Sequence, residues 1–142
     1  MRYLVIGFLA VMLFACKEKE VSKFEYQTVT MMGKTTLVVT QDLVTVDFAG
    51  RGEPTHYERA TSSDEWVTLM SSLTTVKLDE INSLEAPSNK RATDAAPFAK
   101  MLFHTPDSTY ESASFDHKNP HVMLMPTMEA ILKIQEANKK KN

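Results

Sequence analysis

The sequence predicts one domain of the α+β class, with an antiparallel meander sheet of about six strands, one central helix and one C-terminal helix. Residues 24–60 contain consecutive alternating or β-branched segments joined by short turns, as neighbouring antiparallel strands do. The apolar spacing changes to a helical period over 66–73, and residues 98–115 return to strand-like patterns. Because strands and helices do not alternate, this order favours an antiparallel sheet over a parallel βαβ fold.

Four strands are predicted in the first half of the domain. The first alternates, with Phe24 and Tyr26 on one face and Glu25 on the other. The next segments are rich in β-branched residues, and short turns or a loop containing glycine and proline separate them. The predicted strands cover residues 24–31, 35–40, 43–49 and 55–60.

A helix is predicted to follow Ser62. Glu65 lies three residues after Ser62, which is the spacing of a capping box. Apolar residues then recur at the spacing of one helix face. They are Trp66, Leu69, Met70 and Leu73. We expect this helix to end near Val76, with a short helical turn at 78–84 and a long loop at 85–97 after it.

The last third of the chain is predicted to form a hairpin and a helix. Strands at 98–104 and 109–115 flank a turn at 105–108, in which proline takes the second position favoured in type I turns. Alternation along the second strand places four polar residues on one face: Tyr110, Ser112, Ser114 and Asp116. Pro126 opens the final helix, which we expect to reach about Lys139 with three apolar residues inward: Met128, Ile131 and Leu132.

Composition excludes several classes of protein. The chain has 142 residues, of which 43% are hydrophobic and 24% charged, so it is long enough for one domain and too apolar for a disordered tail. A single cysteine cannot form an internal disulfide framework or a cysteine-rich zinc site. A net charge of −2 argues against a nucleic-acid partner.

The N-terminal residues have the pattern of an export signal. Arg2 precedes an apolar run at 3–15, which is too short for a membrane span of about 20 residues. Leu13 and Ala15 precede Cys16 at the spacing of the lipobox of bacterial lipoproteins, which residues 1–20 resemble. This resemblance implies that a type II signal peptidase cleaves before Cys16 and that acyl chains on Cys16 anchor the protein in the bilayer.

The domain plan follows from that resemblance. Residues 1–15 form the predicted lipoprotein signal peptide, 16–23 the lipidated cysteine with a polar tether, and 24–142 one globular domain. Lys17 is not aspartate, the residue that retains some lipoproteins at the inner membrane. The resemblance therefore favours the outer membrane, with the domain facing the periplasm or the cell surface.

A polar binding face is predicted between the long loop and the hairpin. The loop brings charged residues near the polar face of the second hairpin strand. The candidate residues are Arg91, Asp94, Tyr110, Ser112, Asp116 and His117.

Histidine and methionine residues near the C-terminus suggest an alternative site for a soft metal. Thioethers select Cu(I), although methionine also fills core gaps. The alternative ligands are His121, Met123, Met125 and Met128, and Met123 and Met125 would share one side of an extended segment. The primary prediction is that the protein binds no metal and no cofactor.

The preferred functional hypothesis is a non-catalytic domain. The sequence contains no Gly-x-Ser-x-Gly elbow, Walker loop or dinucleotide fingerprint, and we expect no enzymatic activity. We expect the domain to bind or scaffold another envelope protein or a glycan. The alternatives are a periplasmic copper- or metal-handling lipoprotein and a small lipoprotein inhibitor of an envelope hydrolase.

Replacing the lipidated residue tests the anchor. Cys16→Ser removes the thiolate that the acyl transfer requires, so we expect complete loss of metabolic labelling with fatty acid and release from the membrane fraction. Labelling and fractionation of cells that express either chain measure both effects. Persistent labelling of the serine variant would show that the lipobox prediction is wrong.

Overall fold

The computed structural model describes residues 19–139, which form an antiparallel sheet of seven strands and two α-helices. The strands are β1 (Lys23–Thr30), β2 (Gly33–Thr40), β3 (Leu43–Gly50), β4 (Thr55–Ala60), β5 (Phe98–His104), β6 (Thr109–Glu111) and β7 (Phe115–Asp116). The helices are α1 (Ser63–Ser71) and α2 (Met125–Lys139), and 3₁₀ helices occupy Leu78–Ser83, Lys90–Thr93 and Val122–Leu124. The lipobox residues Leu13, Ala15 and Cys16 lie outside this range. Within it, neither α-helix has the length and hydropathy of a membrane span.

The sheet confirms the predicted α+β class. Its strand order is β4-β3-β2-β1-β5-β6, with β7 beside β5, and every pair is antiparallel. The first four strands form the predicted meander, and β5 and β6 form the predicted hairpin. After α1 the chain returns to the other edge of β1, so β1 lies inside the sheet between β2 and β5.

The hydrophobic core lies on one face of the sheet. Alternation along β1 directs Phe24 and Tyr26 to that face, where both are fully buried. Leu69 of α1 and Ile131 of α2 belong to the same buried cluster, so both helices cover this face. Along β1 the side chains on the opposite face are half-buried or exposed, among them Glu25. The domain therefore has two layers, and one sheet face lies open to solvent.

Helix α1 begins as predicted and ends earlier than predicted. Ser62 is its N-cap, and Glu65 completes the capping box. The helix stops at Ser71 rather than near Val76. Ser72 donates a hydrogen bond from its hydroxyl to the carbonyl of Leu69 at 2.6 Å. Such side-chain hydrogen bonds to the backbone compete with helical ones, which explains the early end.

The predicted strand at 109–115 is interrupted. It forms β6 and β7, with Ser112, Ala113 and Ser114 outside both strands. The Ser112 hydroxyl accepts a hydrogen bond from the backbone N–H of Met101 at 3.0 Å, so a side chain replaces a backbone acceptor there. The predicted common polar face is therefore wrong, because Ser112 is buried while Ser114 is exposed.

The prediction of an extended segment before α2 is also wrong. Val122–Leu124 form a 3₁₀ helix, and α2 begins at Met125, one residue before Pro126. The nitrogen Nδ1 of His121 accepts a hydrogen bond from the N–H of Met123 at 3.2 Å, which caps the first turn. This local cap starts a helical conformation where the sequence suggested alternation.

Arg59 joins the sheet to both helices. Its guanidinium donates to the two carboxylate oxygens of Glu65, at 2.8 and 2.6 Å, and to the side-chain oxygen of Asn138 on α2. The side chains of Arg59 and Glu65 are only 8% and 16% exposed. The hydrogen bonds from Arg59, aided by those from Ser62 and opposed by burial, lower the pKa of Glu65 to about 2.

Glu65→Ala tests this junction. It removes the capping box and leaves the Arg59 guanidinium without its carboxylate, so we expect the free energy of unfolding to fall by about 3 kcal/mol in urea titrations. Glu80→Ala is the matched control, because Glu80 forms an exposed ion pair with Lys77, and its loss should cost less than about 0.5 kcal/mol. Equal losses in the two variants would contradict the assignment.

The contribution of Glu65 to the stability of the fold depends on pH. It is present above pH 4.5 and is lost as the pH falls toward 2.

Candidate functional site

Three of the predicted binding-face residues lie together, around the buried carboxylate of Asp116. Asp116 accepts hydrogen bonds from the Ser88 hydroxyl, from the backbone N–H groups of Lys90 and Arg91 at 2.9 Å each, and from the Arg91 guanidinium at 3.2 Å. Burial alone would raise the pKa of Asp116, but these hydrogen bonds outweigh it and hold the pKa below its usual range. The carboxylate therefore fastens the loop at 88–91 to β7.

His117 lies beside Asp116 and belongs to a half-buried aromatic contact. The hydroxyl of Tyr26 and Nδ1 of His117 share a hydrogen bond of 2.7 Å, and the two rings stack with centroids 5.9 Å apart. Burial, together with the charge of Lys118, lowers the pKa of His117. Burial also raises the pKa of Tyr26 to about 12. At neutral pH the imidazole and the phenol are therefore both uncharged, and a neutral hydrogen bond joins them.

The other predicted residues lie apart from this cluster. Asp94 is exposed, with a φ of 55°, where it ends the 3₁₀ helix Lys90–Thr93. Tyr110 and Ser112 line a groove elsewhere, beside β6. The structure thus divides the predicted binding face, placing Arg91, Asp116 and His117 at one site and Tyr110 and Ser112 at another.

The groove runs between β6 and the 3₁₀ helix Leu78–Ser83. It opens to solvent and has a volume of about 420 Å³. Ile81 is fully buried beneath it, whereas polar side chains stand along its rim. The lining residues are Leu78, Asp79, Ile81, Asn82, Thr109, Tyr110, Glu111, Ser112 and Ala113.

The tether contacts this groove through Lys19. The Lys19 ammonium bonds both carboxylate oxygens of Asp79 and lies 4.9 Å from the ring centroid of Tyr110. The hydrogen bond with Asp79 and the contact with Tyr110 raise the pKa of Lys19. Val21 is buried, and the N–H of Ser22 donates to the carbonyl of His104 at 2.8 Å. The segment is therefore fixed to the domain from Lys19 onward.

An exposed apolar patch lies at the opposite end of β1. Val29 pairs with Phe98 across β1 and β5, and the two are 41% and 44% exposed. Met31 and Met32 form the adjoining β1–β2 turn and are 74% and 56% exposed. We call Val29, Met31, Met32 and Phe98 the apolar tip. Apolar side chains gathered in this way at a surface are typical of interaction sites.

The loop after β3 supports the apolar tip. The N–H of Arg51 donates to the carbonyl of Met32 at 2.8 Å, which holds the two turns together. A Cβ atom on Gly50 would lie 2.1 Å from the Met32 carbonyl oxygen, so only glycine allows this approach. Arg51 and Lys34 are exposed beside the tip, and Lys34 pairs with Val29 across β1 and β2. Two cations thus flank the apolar side chains.

The histidine and methionine residues of the alternative metal site do not line one surface. Met128 is fully buried in the core, Met125 is half-buried, and Met123 is 41% exposed. Among residues 19–139, no three His, Cys, Asp or Glu side chains gather in a metal-binding arrangement.

Sequence patterns missed a polar row on the open sheet face. The nitrogen Nε2 of His104 lies 2.9 Å from Glu25, and its Nδ1 lies 2.9 Å from the Thr109 hydroxyl. Lys23 and Gln27 also contact the Glu25 carboxylate, each at 3.0 Å. Burial raises the pKa of Glu25, and the contacts with Lys23, Gln27 and His104 more than compensate and lower it. The β1–β5 register brings His104 beside Glu25, and no local pattern reveals that contact.

No protein-family model matches the chain, and no curated protein and no solved structure shows significant similarity to it.

The His117 contact predicts a pH dependence. The pKa of His117 in the folded chain is lower than its usual 6.5. The contribution of His117 to the stability of the fold is therefore present above pH 6.5 and is lost as the pH falls below that value. His117→Gln keeps an acceptor without titrating, so its unfolding free energy should decline less between pH 7 and 5 than that of the parent chain. Urea titrations at each pH measure the difference.

His56 provides a control, because its effect on how stability changes with pH is opposite to that of His117. Hydrogen bonds with Asp47 and Glu58 raise the pKa of His56, so its stabilisation is present below pH 6.5 and is lost as the pH rises. His56→Gln should therefore steepen the decline on acidification. If the His117→Gln profile has the same slope as that of the parent chain, the Tyr26–His117 assignment is wrong.

Proposed function

We propose that this protein is a lipid-anchored envelope protein whose domain binds a partner protein through the apolar tip, without catalysis. The lipobox pattern at Leu13, Ala15 and Cys16 supports the anchor. The exposed apolar tip is the observation that carries the binding function.

The composition of the tip favours a protein partner over a glycan. Methionine and aromatic side chains are enriched at the centres of protein interfaces, and arginine is also enriched there. The tip contains Met31, Met32 and Phe98, and Arg51 and Lys34 are exposed beside it. A partner with an apolar pocket and an acidic rim would match this arrangement, because opposite charges orient the encounter.

The position of the tip also suits an anchored protein. The chain enters the sheet at Lys23 and reaches the tip after Thr30, so the two ends of β1 are about 23 Å apart. Lys19 lies three residues from Cys16, so the fixed part of the tether starts within about 10 Å of the lipidated atom. The tip is therefore on the end of the domain away from the attachment. The inhibitor hypothesis is the special case in which the partner is an envelope hydrolase.

Site-specific crosslinking in intact cells tests this function. A photoreactive amino acid at Met32 should give a discrete adduct that depends on ultraviolet light. The same probe at Val67, which is 60% exposed on α1 and is not part of the tip, is the position control. Identical adducts from both positions, or none from Met32, would contradict the proposal.

A charge substitution provides the second arm of this test. Met31→Asp places a carboxylate at the most exposed position of the tip, where it would repel an acidic rim, so we expect at least a tenfold loss of the Met32 adduct. Val67→Asp makes the same change on α1 and should leave the adduct intact. Equal effects of the two substitutions would show that the tip is not the binding surface.

A further inference from the structure

We propose that the groove beside β6 is a second binding site, which takes an extended peptide segment carrying a basic side chain. Lys19 of the tether then occupies its cation position in the absence of that peptide. The proposal does not depend on lipidation or on the apolar tip.

The cation position is the place in the groove that the Lys19 ammonium occupies. The Lys19 ammonium is bonded by the Asp79 carboxylate and faces the Tyr110 ring at 4.9 Å. A carboxylate beside an aromatic face selects ammonium or guanidinium groups, since each attracts positive charge independently. The contact joins residues 60 positions apart in the chain, so it is not a product of local sequence.

The charges around the groove point to the same ligand. Glu111 pairs with Lys100, and Glu80 pairs with Lys77. The Asp79 carboxylate has Lys19 as its cation. Displacement of Lys19 would therefore leave one negative charge at the groove for a ligand cation to neutralise.

The backbone of β6 adds a place for an extended segment. β6 is the last strand in the order, at one edge of the sheet. Its pairing with β5 is flanked by two backbone hydrogen bonds, from the N–H of Thr105 to the carbonyl of Ser108 and from the N–H of Ser112 to the carbonyl of Met101. Because bonded pairs alternate in antiparallel ladders, the backbone groups of Thr109 and Glu111 point away from β5. An extended peptide can pair with such an edge, as in β-strand addition.

The side-chain pattern of the ligand follows from the groove walls. Leu78, Ile81 and Ala113 form an apolar wall near the cation position. Side chains two residues apart lie on the same side of an extended segment. We therefore expect a segment with a basic residue followed two positions later by an apolar residue.

A peptide with the sequence of residues 17–22, acetylated and amidated at its ends, is the probe. It is titrated into full-length chains that carry Lys19 or Lys19→Ala, and the amide resonances of Thr109 and Glu111 are followed by NMR. In the parent chain, Lys19 competes with the peptide for the cation position. The Lys19→Ala chain should therefore bind the peptide about tenfold more tightly than the parent chain.

Two further changes make the test specific. In the Lys19→Ala chain, Asp79→Asn should weaken peptide binding at least tenfold, whereas Glu80→Gln on the same 3₁₀ helix should not change it. A peptide in which norleucine replaces the residue equivalent to Lys19 should not shift either resonance. Absence of shifts at millimolar peptide, or shifts unaffected by Asp79→Asn and by norleucine, would overturn the proposal. The apolar tip is intact in all these chains, so the outcome is separate from that of the crosslinking test.

Discussion

The domain depends on the burial of one row of β1 side chains beneath two helices. Phe24 and Tyr26 point to the covered face, and both lie at 1% exposure or less. β1 pairs with β2 on one side and β5 on the other, so a shift of its register would turn these rings to solvent. The register of the whole sheet therefore follows from which face of β1 the helices cover.

A sheet with one covered face leaves its ends and edges for other contacts. At one end of β1, the turn with Met31 and Met32 is exposed. At the edge, β6 is only three residues long, and the 3₁₀ helix Leu78–Ser83 lies beside it without completing a strand pair. The apolar tip and the groove are thus consequences of the same two-layer arrangement.

Sequence patterns predicted the elements whose signals are local. Alternation marked β1, and the pair Ser62 and Glu65 marked the start of α1. The failures have equally specific causes. The Ser112 hydroxyl accepts the N–H of Met101, and His121 caps the turn before α2. Hydroxyl and imidazole groups that bond the backbone change its path without altering the hydrophobic pattern.

The candidate site was predictable only in part, because its contacts join distant segments. Tyr110 and Ser112 were identified as polar residues of a hairpin, and both line the groove. Asp79 and Lys19 were not identified from the sequence, since Asp79 lies in a short helical turn and Lys19 in the polar segment before β1. Their ion pair joins residues 60 positions apart in the chain, so no local pattern reveals it.

The contact of Lys19 links the groove to the orientation of the domain. If Cys16 carries the proposed lipid anchor, only two residues separate it from Lys19 while Lys19 is bonded to Asp79, so the domain would have little freedom relative to the anchor. If Lys19 leaves the groove, the next fixed residue is Val21, which adds two residues and about 7 Å of reach. Occupation of the groove by another basic segment would therefore lengthen the tether and let the apolar tip sample more positions.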